Sequence, residues 1–400
     1  MLTPDYFETG KWESLLAIYY GLEEWIFKDA AERLKNGRTA ENDIRGLIGF
    51  GLASAEIEKR IAKVMKVSEK ELRKILEDSV LYSLEEEREV FEALGVDVSS
   101  PLKNRRVREV LEAQWRKTNG ELWNLTRTTA FQGDRDMLRL LNDAEMKVAS
   151  GLQSYDQACV DVLDGYAAKG IAIDYPRGMR QSIESAVRTC IVTSMNQTAA
   201  EITNGYIREG NVQYVLTSAH IGARVGKPGQ PPCGDHYGWQ GKVYKIDGRE
   251  EGFPNLLEAT GYDIDANGTG RVVDPLGLHG YNCRHSHKPF DPSLRNPYRN
   301  ENGELLDGDG NVITEEMNRR AFDLSQRQRA RERSIRATKR AIVMKQAEID
   351  AGIGNAGTLK AELSMMERRL VKQDKAYNDF CSKNGLVPQY SRNKVSGFPF

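Results

Sequence analysis

The 400-residue chain has no stretch approaching about eighteen uninterrupted apolar residues, so a membrane-spanning helix is not expected. Its first residues, Met1-Leu-Thr-Pro-Asp-Tyr-Phe-Glu8, contain neither the basic segment nor the apolar core of a secretory signal. Cysteine is scarce. Cys159, Cys190, Cys233, Cys283 and Cys381 are odd in number and widely spaced, which excludes a disulfide scaffold and suits synthesis in a reducing cytoplasm. Charge of one sign is lacking too. A formal net charge of −1 argues against a chain that coats nucleic acid along its whole length, while leaving a local basic surface open. Internal repeats are absent. Histidine is rare, with five in the chain, and all five fall between His220 and His287.

What is present is mostly helical patterning. The chain is 40% hydrophobic, enough to fold, and too long for one ordinary core, so two or three domains are the expectation. Leu15, Leu16, Ile18, Tyr19, Leu22 and Ile26 recur at helical spacing, as do Ile57, Ile61, Val64 and Met65. Ser68-Glu-Lys-Glu71 has the form of a capping box opening a further helix. After a break at Ser99-Ser-Pro101, a second helical block runs from Val107 to about Ser150. It is expected to be interrupted at Thr118-Asn-Gly120, with Leu122–Ala130 as a buried connector. Tyr155–Lys169 reads as a helix stopped by Gly170. Ile171–Pro176 reads as extended, Arg177-Gly178 as a turn, and Met179–Glu209 as a long helix that buries Cys190.

At Gly210 the character changes. Residues 205–280 hold 15 of the 36 glycines, interspersed with β-type runs at Val212–Thr217 and Gly241–Ile246. The fold class that follows is α+β: a mostly helical chain with a small glycine-rich β module, about 211–290, inserted between helical regions. Along the chain this separates an N-terminal helical region (1–100), a second helical region (101–210), the β module (211–290) and a C-terminal helical region (291–400). The last carries a basic helix starting at Thr314, another helix from Thr358 to about Phe380, and a tail from Ser391 expected to be mobile.

The β module is where chemistry is expected. Imidazole and thiolate are the usual zinc ligands. Cys233-Gly-Asp-His236 and Cys283-Arg-His285 form two half-sites about fifty residues apart, and in an extended segment Cys283, His285 and His287 would share one side. A structural zinc held by His220, His236, Cys283 and His285, with Cys233 as a substitute, would knit a segment that has little core of its own. Two other readings stand beside it: a set of hydrogen-bonded histidines with free thiols, or a zinc- or cysteine-dependent hydrolase. The hydrolase would use Asp235 or Asp274 as base, or Cys283 paired with His220 or His236 as nucleophile. No metalloprotease motif is present, and no residue is assigned as catalytic.

A second constellation lies further on. From Arg319 to Arg340 there are nine basic residues against two acids. Arg327, Arg329, Arg331, Arg333, Arg336, Lys339 and Arg340 are the candidates for contact with DNA phosphates or an acidic protein partner. Aromatic side chains for base stacking are nearly missing there.

Several stretches taken together resemble the tailed-phage minor capsid protein family of the "minor capsid protein 2" type, which is similar to the Mu F-like head morphogenesis proteins. They are Ser218-Ala-His-Ile-Gly-Ala-Arg224, His236-Tyr-Gly-Trp-Gln-Gly-Lys-Val-Tyr244 and Gly277-Leu-His-Gly-Tyr-Asn-Cys-Arg-His285, with Asn124–Ala130, Ala149-Ser-Gly151, Tyr175-Pro-Arg-Gly178, Ala186-Val-Arg-Thr189 and Asn196-Gln-Thr198 upstream and Gln326–Arg333 downstream. The resemblance implies a non-enzymatic virion protein inside the head of a bacterial virus. It would be made in the host cytoplasm, sit near the portal, and assist head assembly, DNA packaging or DNA delivery. Its implied partners are the portal protein, the major capsid protein and packaged DNA. The matching positions are His220, Arg224, His236, Trp239, Gln240, Gly241, Asn282, Cys283, Arg284 and His285; Cys233, His279 and His287 are less expected in the pattern.

Overall fold

The computed structural model describes residues 2–8, 10, 12–37, 54–170, 172–174 and 180–395. Helices dominate: α1 (Pro4–Glu8), α2 (Glu13–Gly37), α3 (Ser54–Ala93), α4 (Arg105–Ala149), α5 (Tyr155–Lys169), α6 (Ile183–Glu209), the short α7 (His236–Trp239) and α8 (Leu256–Thr260), then α9 (Glu315–Ala351) and α10 (Ala356–Lys383). Among the described residues, seven three- or four-residue strands make three small antiparallel sheets. β1 (Ala172–Asp174) pairs with β2 (Arg180–Ser182), and β5 (Tyr262–Ile264) with β6 (Gly270–Val272). In the third sheet β3 (Tyr214–Thr217) lies between β4 (Val243–Lys245) and β7 (His287–Pro289). The architecture is therefore mostly helical α+β.

Two of the local stop signals are overridden. Ser68 does not cap a helix; it sits fully buried inside α3 and turns its hydroxyl back onto the Met65 carbonyl at 2.8 Å. Thr118 does the same inside α4, donating to the Gln114 carbonyl at 2.8 Å, and the helix continues through Gly120 and the expected connector. A serine or threonine that satisfies its hydroxyl on the preceding turn no longer competes for the backbone, so burial of the apolar stripe decides. Other signals act as read. Gly170 ends α5 at φ 64°, and Thr314 Oγ1 accepts from Met317 N–H at the start of α9. Ile171, Tyr175 and Pro176 of the expected extended stretch, the Arg177-Gly178 turn and Met179 lie outside the described residues. So do the last five residues of the tail, whereas the stretch up to Val395 is tied down: Asn393 is buried and its carbonyl accepts from Lys339 Nζ at 2.9 Å.

The chain divides into two compact units, each discontinuous in sequence. The first comprises residues 1–12, 70–120 and 188–326. Its core forms where the C-terminal part of α6 meets the β module: Ala200, Ile207, Val215, Trp239, Tyr244, Leu278 and Cys283 are buried together. Successive residues of β3 point to opposite faces. Val215 thus joins that core, while Leu216 joins another with Ala219, Phe290, Tyr298 and Leu305. The second unit comprises residues 13–69, 121–187 and 327–400. There α9 and α10 pack through Ile335, Ile342, Leu370, Tyr377 and Cys381.

Candidate functional site

The residues that carry chemistry are positioned by α6 and by two loop segments of the β module. One segment, 218–241, leads through α7 to β4; the other, 276–286, leads into β7. The second loop turns through two left-handed residues, His279 and Asn282 at φ 57° and 56°, a region that Asn and His enter more readily than most L-residues. Arg224 clamps it, donating to the carbonyls of Leu276 (2.9 Å) and Tyr281 (3.0 Å).

Within this frame His236, Cys283 and His285 converge, all buried, with one donor atom from each lying within 4.8 Å of the others. The two Nδ1 atoms are 3.3 Å apart, and Cys283 Sγ lies 3.8 Å from His285 Nδ1 and 4.0 Å from His236 Nδ1. Trp239 closes one side, its ring 4.6 Å from His236 and 4.7 Å from His285 between centroids. His220 joins differently. It stacks on His285 at 4.2 Å, its Nδ1 faces the Ile221 carbonyl at 3.0 Å, and its buried Nε2 has no hydrogen-bond partner.

Burial governs the ionisation of the set. It holds His220 down at about 4 and His236 at about 3, and His285 well below the usual imidazole range, with neighbouring cationic groups adding to the effect. It pushes the Cys283 thiol up to about 11, the opposite of what a nucleophilic cysteine needs.

The remaining histidines form a separate relay. The expectation that His287 shares a side with Cys283 and His285 fails: His287 meets His279 and Asn204, while Cys283 and His285, which precede the first paired residue of β7, meet His236. Asn196, 1% exposed on α6, anchors the relay. Its Nδ2 donates to the carbonyls of Cys283 (3.0 Å) and His285 (3.1 Å), so its Oδ1, 3.1 Å from His279 Nδ1, must accept. His279 Nε2 is then bare and accepts from His287 Nδ1 at 2.8 Å, which leaves His287 Nε2 bare in turn. Asn204, as placed, turns its oxygen to that atom at 2.8 Å and its nitrogen to Tyr262 Oη. Proton counting requires the opposite amide orientation, with Tyr262 O–H donating to Asn204 and the Asn204 amide N–H donating to His287. Both ring nitrogens of each relay histidine are thus engaged, and a metal would have to displace one of these partners to bind either residue.

Cys233 stands apart, buried, with its thiol raised to about 11 by burial and by the Asp274 carboxylate beside it. The two carboxylates considered as bases are already engaged in turns: Asp235 accepts from Gly226 N–H at 3.0 Å and Asp274 from Leu276 N–H at 2.8 Å.

Sequence reasoning did not foresee the orienting role of Asn196 and Asn204. Their signal was faint: with Ala200 they form an i, i+4, i+8 stripe on α6, and a polar pair on a stripe that should be apolar marks a buried network.

On α9 the seven basic candidates separate. Arg336 pairs with Glu184, and Arg340 lies 3.7 Å from Glu184 and 3.9 Å from Glu23, all buried within the second unit. Lys339 is buried on the Asn393 carbonyl. These three are therefore corrected from surface contacts to interior ones, because α9 is covered along that length. Arg331 stacks on Phe380 at 3.8 Å and Arg329 is half-buried, leaving Arg327 and Arg333 as the exposed pair of the seven.

Comparison with known proteins agrees with this arrangement of motifs. Residues 2–382 match the family model described as phage minor capsid protein 2. A structural protein of a bacteriophage capsid is the class so defined. The chain belongs to the phage minor capsid protein 2 family. Membership implies a location in the virion and interaction with other phage structural proteins. No match was found among curated proteins or among solved structures. Among the described residues no helix is long and apolar enough to cross a membrane.

Proposed function

We propose that the protein is a non-enzymatic minor head component that sits near the portal and assists head assembly, DNA packaging or DNA delivery. The observation that carries this is the family match along nearly the whole chain. The portal-proximal position and the portal, major capsid and DNA partners rest on the resemblance of the motif set. The site geometry favours a structural role over hydrolysis. Its thiol is sealed and held protonated by burial, and both carboxylates that could act as bases serve as turn acceptors. The His/Cys set then works as a clasp, joining α7 to the loop before β7 so that a module of three- and four-residue strands keeps one shape. Arg327 and Arg333 are the residues offered to DNA or to an acidic face of the portal.

Cross-linking of purified virions followed by peptide identification tests the placement. Cross-links from this chain to the portal protein, at a copy number far below that of the shell, are expected. Recovery only from host lysate, or cross-links spread evenly over the shell protein, would overturn it.

A further inference from the structure

The geometry points to a buried metal site of the zinc class, held by the Cys283 thiolate and the Nδ1 atoms of His236 and His285. Proton positions establish the case. Leu276 O, 2.7 Å from His236 Nε2, can only accept, so that nitrogen carries the hydrogen and Nδ1 is a bare lone pair. Gln240 Oε1 accepts from the backbone N–H of His220 at 3.0 Å, which fixes that atom as oxygen. It also lies 2.9 Å from His285 Nε2, so His285 too carries its hydrogen on Nε2 and presents Nδ1 bare. Two lone pairs thus face each other across 3.3 Å with no proton between them. In the absence of a cation this contact is repulsive.

A metal ion resolves the conflict, and the spacing suits one. Zinc bond lengths in a tetrahedral site put two nitrogens about 3.3 Å apart and nitrogen and sulfur about 3.6 Å apart. The structure has 3.3 Å, and 3.8 and 4.0 Å. The far nitrogen of each ligand histidine is hydrogen-bonded to a carbonyl oxygen, the arrangement that orients metal-bound imidazoles. A second feature points the same way. His220, with Nδ1–H directed at the Ile221 carbonyl, keeps a bare, buried Nε2 without a hydrogen-bond partner on a ring stacked against His285. One soft sulfur with imidazole nitrogens selects zinc or cobalt over magnesium or calcium. Binding converts the Cys283 thiol to a thiolate, and its proton leaves to solvent as the metal–sulfur bond forms.

The test uses the full chain, purified without chelator and analysed for metal, then stripped and titrated with Co2+ alone. One zinc per chain is expected, and a cobalt adduct with a thiolate-to-metal charge-transfer band and tetrahedral d–d absorption. In Cys283→Ser the charge-transfer band is lost, whereas Cys233→Ser keeps both metal and band. The assignment is overturned by absence of stoichiometric metal, by a band that survives Cys283→Ser, or by one that disappears only in Cys233→Ser. Should Cys283→Ser fail to fold, the wild-type cobalt spectrum decides by itself, since a spectrum without thiolate charge transfer excludes Cys283 as a ligand.

Discussion

Replacing Asn196 by alanine probes the join between α6 and the β module. The amide makes three buried hydrogen bonds, two from Nδ2 to the carbonyls of Cys283 and His285 and one at Oδ1 from His279. Truncation leaves one ring N–H and the Cys283 carbonyl unpaired, and leaves the His285 carbonyl only the Cys283 thiol at 3.8 Å. A stranded buried donor costs about 1–3 kcal/mol, and under-satisfied carbonyls cost less because each keeps a second lone pair. Alanine's better helix propensity offsets roughly 0.5 kcal/mol. The net expectation is a loss of about 3 kcal/mol, which corresponds to roughly a hundredfold change in a local opening equilibrium. Native-state hydrogen exchange reads this directly at the β7 amides, because β7 pairs with β3 through Thr217↔His287 and Leu216↔Lys288. The neighbouring Gln197→Ala is the control. It removes a half-buried bond to the His279 carbonyl at 3.0 Å and an exposed one from Lys117 Nζ at 2.9 Å, and is expected to cost about 1 kcal/mol. If Asn196→Ala accelerates β7 exchange no more than Gln197→Ala does, the bonds from Asn196 do not hold the loop and the reasoning is refuted.

Other expectations concern separate parts of the molecule. Lys345 is fully buried against Asp164 (2.8 Å), Glu348 (2.8 Å) and Glu362 (3.2 Å), and burial raises Glu348 to about 7. The stability tied to protonated Glu348 is therefore complete below about 4.5 and fades as pH rises through about 7. Glu348→Gln should flatten that fall in denaturation midpoints, and an unchanged pH profile would count against it. Arg336→Met should cost about 3 kcal/mol by leaving Glu184 without its nearest cation, while Arg336→Met with Glu184→Met should recover most of it in urea titrations. Gly241 has φ 65° and an added Cβ would lie 2.6 Å from Leu305 Cδ1, so Gly241→Ala should destabilise the first unit by about 2–4 kcal/mol in thermal unfolding. For the proposed DNA contact, affinity should fall with salt at a log–log slope near −0.9 per phosphate neutralised, and R327E/R333E should reduce that slope by roughly two. Binding insensitive to ionic strength would move both arginines to a protein partner.

How much of this was legible in the sequence differs by element. The helix ending at Gly170 and the start of α9 at Thr314 were, because a left-handed cap and a side-chain cap are local requirements. Ser68 and Thr118 were misleading for the complementary reason: a polar side chain that can cap a helix can equally bond back along it, and burial of residues far away selects between the two. Within the histidine cluster, spacing brought His236, Cys283 and His285 to notice. It could not separate them from His287, since that depends on where β7 begins. The basic run on α9 overstated its surface role, because Glu184 and Glu23, which neutralise Arg336 and Arg340, are remote in sequence.

By itself, then, the sequence determined the helical class, the inserted glycine-rich module, and which side chains were available as ligands, since periodicity, turn chemistry and residue type are properties of the chain within a few residues. The tertiary structure decided which nitrogens are bare, which arginines are buried and which histidines meet. Those outcomes depend on carbonyls and amides, at Leu276, Gln240 and Asn196, that no local rule connects to the histidines they orient.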